Sequence, residues 1–364
     1  MSTSSGWESL SSHLETSVLE TKIRAIIGSA NKPWNDVGVV PKSPVDIMVV
    51  NVLQKEMYSA DRNDLEYFAR CFKCLRALSK ARDIFPQCFR MSDGIIRDKG
   101  DPIDGGGAAD IWRGTLGGKG VCLKVLRTFS LTAEERKRLL KELCREAVIW
   151  KQLHHKNILP FLGLNTTSFG GRYCLISPWM NNRNIIKFLE SNQDHDRMKS
   201  IREIASAVVF LHNFKPPIVH GDIRGNNILI ADDHRCLLAD FGSSLIIATQ
   251  VPSSNTLNQN STRWLAPEFQ LPDSSSYEIE SSPARDIYAL GCTIIEIFTL
   301  KSPFSHLHHT SSVTNLVINN TSHPRPPRGV FPSDKLWKLV EDCMNIEAKI
   351  RPSATGVEAR LRRM

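Results

Sequence analysis

Two short stretches decide the fold class of this 364-residue chain: HGDIRGNN at residues 220–227 and DFG at residues 240–242. Further motifs lie on either side of them. APE follows at residues 266–268, while upstream Lys124 lies in a predicted strand and Glu146 in a charged predicted helix. Each motif alone is weak support, because a single Asp in a loop usually forms a turn or caps a helix. The complete set, in this order and at these separations, is specific.

The ordered motifs resemble those of the protein kinases, and the resemblance covers residues 96–364. WLAPE at residues 264–268 is typical of the tyrosine-kinase-like group, whose members mostly phosphorylate Ser and Thr. Ser261 aligns with the hydroxyl residue that marks Ser/Thr kinases. Stretches such as VCLKVLR at residues 121–127 and CREAVIW at residues 144–150 are similar to kinases that are abundant in mushroom-forming fungi.

The resemblance implies an α+β, bilobal protein kinase-like fold with a small β-rich N-lobe and a larger helical C-lobe. The order of the predicted elements agrees with this architecture. Short strands surround a Gly-rich turn at residues 117–120, and helical patterns dominate later, at residues 185–190, 198–213, 284–300 and 336–344. Strands first and helices afterwards are typical of a segregated fold.

The same resemblance implies an ATP- and Mg²⁺-dependent transfer of the γ-phosphate to Ser or Thr of protein substrates. Phosphoryl transfer depends on positioning and charge neutralisation more than on covalent chemistry. Asp222 would accept the proton of the attacking hydroxyl, and Asn227 and Asp240 would hold magnesium. Lys124 would contact the α- and β-phosphates, and Glu146 would hold Lys124 by an ion pair.

The resemblance also assigns residues to a nucleotide pocket. In chain order these are Ile103, Gly105, Gly106, Gly107, Ala109, Ile111, Cys122, Lys124, Met180, Asn227, Leu229 and Asp240. Cys122 and Leu229 would enclose the adenine ring, and the Met180 N–H would donate a hydrogen bond to it. Three further residues, Asp286, Glu268 and Arg351, resemble residues with an architectural role in the family.

The Gly-rich loop departs from the family pattern. In the aligned stretch, residues 104–111, Asp104 replaces the first glycine and Ala109 the third, while Gly106 is retained. Backbone N–H groups can still approach a phosphate there, but an acidic side chain near phosphates is unfavourable. An alternative therefore stays open, namely a pseudokinase-like signalling scaffold or interaction module with weak or no catalysis.

Two positions near Asp222 depart as well. Gly221 stands where many kinases have an Arg that pairs with a phosphorylated activation loop, so we expect activity without that phosphate. Arg224 stands where Ser/Thr kinases usually have a Lys that contacts the γ-phosphate, and Arg differs from Lys in geometry. The loop 243–262 is rich in Ser and Thr, which are either solvated loop residues or phosphorylation sites.

Residues 1–95 show helical spacing of apolar residues, whereas strand patterns follow them. They are predicted to form a separate helical region ahead of a kinase domain at residues 96–364. Apolar spacing predicts a helix over residues 14–27, and SPVD at residues 43–46 is a good helix start. Asp61 is the expected cap of the next helix. A third interpretation is that this helical region binds a partner and that the kinase lobe regulates it.

The composition limits the function classes. With 41% hydrophobic and 23% charged residues, the chain has the values of a soluble globular protein. It carries a net charge of +8, but no block of five Lys or Arg residues, so we expect no nucleic-acid partner. No apolar run reaches the length of a membrane span, and Met1 to Leu10 do not resemble a signal peptide.

The number and spacing of the cysteines indicate the cellular compartment of the protein. They number nine and are widely spaced, which is typical of reduced thiols. The pair Cys71 and Cys74 has CxxC spacing but lies in a predicted helix, where two buried apolar side chains are the expected interpretation. These patterns predict an intracellular protein, in the cytoplasm or at the periphery of a membrane.

Overall fold

The computed structural model describes residues 10, 15–29, 45–59, 64–105, 109–127, 132–243, 245–246, 259–270, 282–319 and 323–364. The chain divides into two compact units. The first unit comprises Met1–Leu153 and Pro160–Trp179, and the second comprises His154–Leu159 and Met180–Met364.

Three helices of the first unit occupy the region that the sequence predicts to be helical: α1 (Thr16–Ser29), α2 (Asp46–Ser59) and α3 (Leu65–Arg82). The cap of α3 is Asp64, whose side chain accepts a hydrogen bond of 2.9 Å from the Tyr67 N–H. Asp61, the predicted cap, and Ser43, at the predicted start of α2, lie outside the described residues.

A buried carboxylate joins these three helices. Glu56 of α2 is 6% exposed and accepts a hydrogen bond of 2.7 Å from Arg24 of α1. Its other oxygen accepts a bond of 3.0 Å from the Tyr67 hydroxyl of α3. Two amides, Gln54 and Gln152, also exchange hydrogen bonds of 2.9 and 3.4 Å, which ties α2 to the segment after residue 150.

The first unit also contains an antiparallel sheet. Its strands are β1 (Ile95–Arg97), β2 (Asp104–Gly105), β3 (Ala109–Leu116), β4 (Lys119–Leu126), β5 (Gly163–Asn165) and β6 (Cys174–Pro178). The order is β1-β3-β4-β6-β5, and β2 pairs with β3. Gly117 and Gly118, with φ of +57° and +78°, form the tight turn between β3 and β4.

Successive side chains of β4 alternate between the core of the sheet and the face that carries Lys124. Val121, Leu123 and Val125 are at most 1% exposed and pack in the core of the sheet. The residues between them, Cys122 and Lys124, point to the opposite face, because successive side chains alternate along a strand. Helix α4 (Ala133–Trp150) belongs to the same unit and begins with a capping box.

The second unit is mainly helical. Its helices are α5 (Ile185–Ser191), α6 (Arg197–His212), α7 (Ala284–Thr299), α8 (Thr310–Ile318), α9 (Asp334–Cys343) and α10 (Ala354–Arg362). Two short antiparallel pairs complete it: β8 (Ile228–Ile230) with β9 (Cys236–Leu238), and β7 (Ile218–Val219) with β10 (Leu245–Ile246). Helix α7 is buried along nearly all of its length.

A small antiparallel sheet in one unit and a helical second unit confirm the predicted bilobal α+β fold. Cys71 and Cys74 are fully buried in α3, as expected for apolar side chains, and burial raises the pKa of both thiols. Among the helices that the structure describes, none is long and apolar enough to cross a membrane.

Candidate active site

In the first unit the structure brings Lys124 and Glu146 together. Lys124 lies in β4, and Glu146 lies on α4 with its side chain 9% exposed. Lys124 Nζ is 3.5 Å from Glu146 Oε1. Strong charge-assisted hydrogen bonds are usually about 2.7–2.9 Å long, so this ion pair is formed but loose.

The predicted nucleotide-pocket residues of the first unit fall on the sheet. Cys122 lies on the same face of β4 as Lys124, and burial raises the pKa of its thiol to about 11. Ile111 of β3 is paired with Lys124. The Ile103 N–H donates to the Ile111 carbonyl at 2.8 Å, and Ala109 begins β3.

The described part of the Gly-rich loop is held by local contacts. Asp104 Oδ1 accepts a hydrogen bond of 2.8 Å from the Gly105 N–H. The Arg127 guanidinium pairs with Asp110 at 2.6 Å and covers Gly105, where an added Cβ would lie 2.6 Å from Arg127 Nη2. Two predicted pocket residues, Gly106 and Gly107, lie outside the described residues.

In the second unit the segment 220–227 folds around Asp222. Asn227 Nδ2 donates two hydrogen bonds of 2.8 Å, one to the Asp222 carbonyl and one to Asp222 Oδ2. Arg224 Nε lies 3.3 Å from Asp222 Oδ1. The carboxylate is therefore oriented at one oxygen by an amide and faces a guanidinium at the other.

Hydrogen bonds join this segment to Ala239, the residue directly before the DFG triplet. The His220 ring lies between them, because its Nε2 is 3.1 Å from the Ala239 carbonyl and its Nδ1 accepts from the Asp222 N–H at 3.2 Å. The Ala239 N–H also donates to the Asn227 carbonyl at 2.8 Å. Asp240 has φ of +66°, which is uncommon for a residue other than glycine and is frequent at functional sites.

Asp286, for which the resemblance implies an architectural role, lies on α7 and is fully buried. It accepts hydrogen bonds of 2.8 Å from the N–H groups of His220 and Gly221 and is 2.9 Å from His212 Nε2. Burial alone would raise the pKa of Asp286, but the hydrogen bond and charge of His212 outweigh it, so the pKa is lowered. The turn before Asp222 is thus anchored to α7.

The other predicted residues of the second unit lie as follows. Glu268 and Arg351 form a bidentate ion pair with two contacts of 2.7 Å, and the Arg351 side chain is fully buried. Met180 is half-buried and its carbonyl accepts from the Arg183 N–H at 3.2 Å. Leu229, also half-buried, lies in β8.

Glu296 is not among the residues predicted from the sequence, yet the structure gives it a joining role in the second unit. Glu296 lies on α7, is 6% exposed, and its Oε2 accepts from the Gly225 N–H at 2.8 Å and from Trp264 Nε1 at 3.1 Å. It therefore joins the segment after Asp222 to the residues before the APE triplet. One isolated Glu in an apolar helical pattern carries no signal that distinguishes it from a solvated residue.

The burial of Glu296 leads to a prediction about pH. Burial raises its pKa to about 7, although the bonds from Gly225 and Trp264 oppose the shift. Between about pH 4.5 and 7 the folded state therefore keeps the proton of Glu296, whereas the unfolded state has lost it. Stability should therefore fall by up to about 3 kcal/mol as pH rises from about 4.5 to 7.

Urea unfolding at a series of pH values checks this expectation. Glu296→Gln keeps the shape and an acceptor oxygen but does not titrate, so its free energy of unfolding should vary less over this range. An identical pH dependence in wild type and variant would contradict the assignment.

Comparisons with known proteins agree with this geometry. The family model described as protein tyrosine and serine/threonine kinase matches residues 99–361. The probable serine/threonine-protein kinase pats1 of Dictyostelium discoideum is 28% identical, over 71% of this chain and 8% of the relative. The dual specificity protein kinase shkC of the same organism is 27% identical, over 69% of this chain and 48% of the relative.

A plant relative gives the same result. The serine/threonine-protein kinase CTR1 of Arabidopsis thaliana is 27% identical over 72% of this chain and 31% of the relative. The chain thus spans at most about half the length of these three relatives. Because the family match covers residues 99–361, well over half of its length, the chain belongs to the protein tyrosine and serine/threonine kinase family.

Proposed function

We propose that this chain is an ATP- and Mg²⁺-dependent protein kinase that transfers the γ-phosphate to Ser or Thr of protein substrates. The observation that carries the proposal is the retention of Lys124, Glu146, Asp222, Asn227 and Asp240. Within the first unit Lys124 contacts Glu146, and within the second unit Asp222 contacts Asn227. These two contacts support a catalytic role for the residues that make them.

In the second unit Asp222 would receive the proton of the acceptor hydroxyl. Its Oδ2 is engaged by Asn227, so Oδ1 is the oxygen that faces the substrate in this proposal, with Arg224 beside it at 3.3 Å. A base must lie within hydrogen-bond reach of the proton that it accepts. Arg224 would add positive charge next to the transferred phosphoryl group.

The donor chemistry of Asn227 and Asp240 fits magnesium. The two side-chain hydrogen bonds to Asp222 are made by Asn227 Nδ2, so the amide oxygen is the atom that would bind a hard cation, and Asp240 would add a carboxylate. When bound, Mg²⁺ supplies charge neutralisation at the phosphate oxygens. The residues of this chain would orient the hydroxyl and accept its proton.

ATP turnover onto a generic Ser/Thr acceptor tests the proposal. Wild type should release ADP and phosphorylate the acceptor in a Mg²⁺-dependent manner, and Asp222→Ala serves as the control. A wild-type signal that does not exceed the Asp222→Ala background would exclude catalysis by this site.

A change at Lys124 should affect nucleotide binding and catalysis together. In this proposal Lys124 contacts the phosphates as a positive point charge, held by Glu146 at 3.5 Å. Lys124→Met removes the charge, so the thermal stabilisation by Mg-ATP should be lost and kcat/KM should fall by about 100-fold or more. Differential scanning fluorimetry and steady-state kinetics measure the two effects, and Lys119→Met, in the same strand but exposed, is the matched control.

A second candidate function is a pseudokinase-like interaction module. The observation that favours it is Asp104, whose carboxylate is bonded to the Gly105 N–H, a group that would face phosphate in an ordinary Gly-rich loop. This candidate predicts no thermal shift with Mg-ATP in wild type. A shift that disappears in Lys124→Met would favour the kinase instead.

The nucleotide-pocket assignments, the helical region at residues 1–95 and the kinase domain at residues 96–364 remain predictions. We also propose that a partner binds through the helical region, because apolar side chains such as Val18, Tyr58 and Leu65 are 41–56% exposed there. All nine cysteines are free thiols, which supports a location in the reducing cytoplasm.

A further inference from the structure

Gly105 of β2 leaves room for a side chain that comes from another strand. Its φ lies outside the left-handed region, so the backbone conformation at this position does not require glycine. The available space does require it, because an added Cβ would lie 2.6 Å from Arg127 Nη2 and 3.5 Å from Asp110 Oδ1. The absence of a side chain at Gly105 therefore accommodates the Arg127 guanidinium.

Arg127 follows directly after β4 and reaches across β3 to this position. Its Nε donates a hydrogen bond of 2.8 Å to Asp110 Oδ1, and its Nη2 lies 2.6 Å from the same oxygen. Asp110 belongs to β3 and is the register partner of Gly105 in β2. One guanidinium thus links the end of β4 to β3 and to β2.

Strand β2 is a short edge strand that the rest of the sheet holds weakly. It comprises only Asp104 and Gly105, which are paired with Ile111 and Asp110 of β3. The neighbouring Ile103 N–H donates to the Ile111 carbonyl at 2.8 Å. Local opening of a segment with so few backbone hydrogen bonds costs little free energy, so a side chain that ties it to the sheet matters.

This link lies on the face of the sheet opposite to Lys124. Ile111 and Lys124 are register partners and share one face, while Asp110 and Val125 are partners on the other face. Arg127 is two residues beyond Val125 and has the same orientation. In the proposed reaction it would therefore act on the nucleotide pocket through the backbone of β2 and β3, and not by contact with the phosphates.

We propose that Arg127 is a positioning residue of the nucleotide pocket, which holds β2 against β3 and so fixes Gly105 and Ile111, two residues assigned to that pocket. This inference rests on the proposed function, because it requires Mg-ATP to bind at this edge of the sheet. The Arg127 side chain is 47% exposed and that of Asp110 17%. Such ion pairs usually change an equilibrium constant by about fivefold or less, so the link tunes nucleotide affinity and does not decide folding.

A double-mutant cycle at residues 105 and 127 tests the proposal on the full chain. Arg127→Met removes the charge and keeps the length of the side chain. Gly105→Ala places a methyl group where the guanidinium lies, so the flexible end of Arg127 must move away. Each single variant should raise the KM for ATP by about three- to fivefold and change kcat by less than about twofold. The two changes together should raise KM no further, because the first already removes the contact.

Two further variants separate positioning from a general effect of charge. Arg127→Lys keeps a cation that can pair with Asp110, so its KM for ATP should stay within about twofold of the wild-type value. Lys119→Met removes one charge from an exposed residue of β4 and should leave KM unchanged. Circular dichroism verifies that all variants are folded.

Hydrogen exchange in the nucleotide-free chain gives a readout that needs no catalysis. The Ile103 N–H, which is bonded to the Ile111 carbonyl, should exchange about three- to fivefold faster in Arg127→Met than in the wild type. Its exchange in Lys119→Met should equal that of the wild type.

Two results would overturn the proposal. One is a KM for ATP in Arg127→Met equal to that of the wild type. The other is additive effects of Gly105→Ala and Arg127→Met, which would show that the two residues act separately. A wild type that neither binds nor turns over Mg-ATP would contradict the proposed function instead. Hydrogen exchange would then decide the role of Arg127: faster exchange of Ile103 in Arg127→Met would support the link to β2, and an equal rate would overturn it.

Discussion

The Asp222→Asn variant is expected to lower kcat for peptide phosphorylation by about 10²–10⁴-fold, the usual contribution of a general base. The substitution removes the group that would accept the hydroxyl proton and keeps the shape of the side chain. The amide introduced by the substitution could still offer an oxygen to Asn227, which donates to Asp222 Oδ2 at 2.8 Å in the wild type. Stability and the KM for ATP should therefore change little.

Steady-state kinetics with ATP and peptide varied separately, together with thermal melting, measure these effects. Asp194→Asn, an exposed Asp of the second unit, is the matched control and should behave like wild type. A fall of less than about tenfold in kcat for Asp222→Asn, with the fold intact, would contradict the assigned role.

The Asp286→Ala variant should lose more stability than Asp222→Asn or Glu296→Gln, about 3–5 kcal/mol in the free energy of unfolding. Asp286 is 0% exposed and accepts hydrogen bonds from the N–H groups of His220 and Gly221. Without the carboxylate, the buried His220 N–H and the half-buried Gly221 N–H lose their acceptor, and a buried donor without a partner costs about 1–3 kcal/mol. Because these donors precede Asp222 directly, catalysis should be lost as well.

Urea unfolding and amide hydrogen exchange at His220 and Gly221 measure the effect of Asp286→Ala. The lowered pKa of Asp286 also gives it a pH signature. A carboxylate with a lowered folded pKa stabilises the protein above its unfolded pKa of about 4, and this contribution is lost as pH falls through the folded value. Asp286→Ala should lack this acid-dependent step, and exchange rates equal to those of wild type would contradict the anchoring role.

Motif order predicted the bilobal α+β fold and two side-chain contacts, one within each unit. Lys124 and Glu146, 22 residues apart in sequence, form the predicted ion pair, and Asp222 is bonded to Asn227. Such residues are predictable because phosphoryl transfer demands particular donors at particular separations. The chemistry constrains the residue types, and the types are visible in the sequence.

Contacts that depend on packing were not predictable in the same way. Glu296 joins Gly225 and Trp264 through tertiary contacts whose sequence separations are 71 and 32 residues. The α3 cap is similar on a smaller scale: Asp61 and Asp64 are equally suitable residue types, and only the backbone conformation selects Asp64.

Transfer of label from ATP radiolabelled at the γ-phosphate to a Ser/Thr/Tyr peptide array tests directly whether this chain is an active Ser/Thr kinase. We predict label on Ser or Thr that requires Mg²⁺, retains wild-type levels in Asp194→Asn and is lost in Asp222→Asn. An absence of label above the Asp222→Asn background, under conditions where Mg-ATP raises the melting temperature of the wild type, would contradict it.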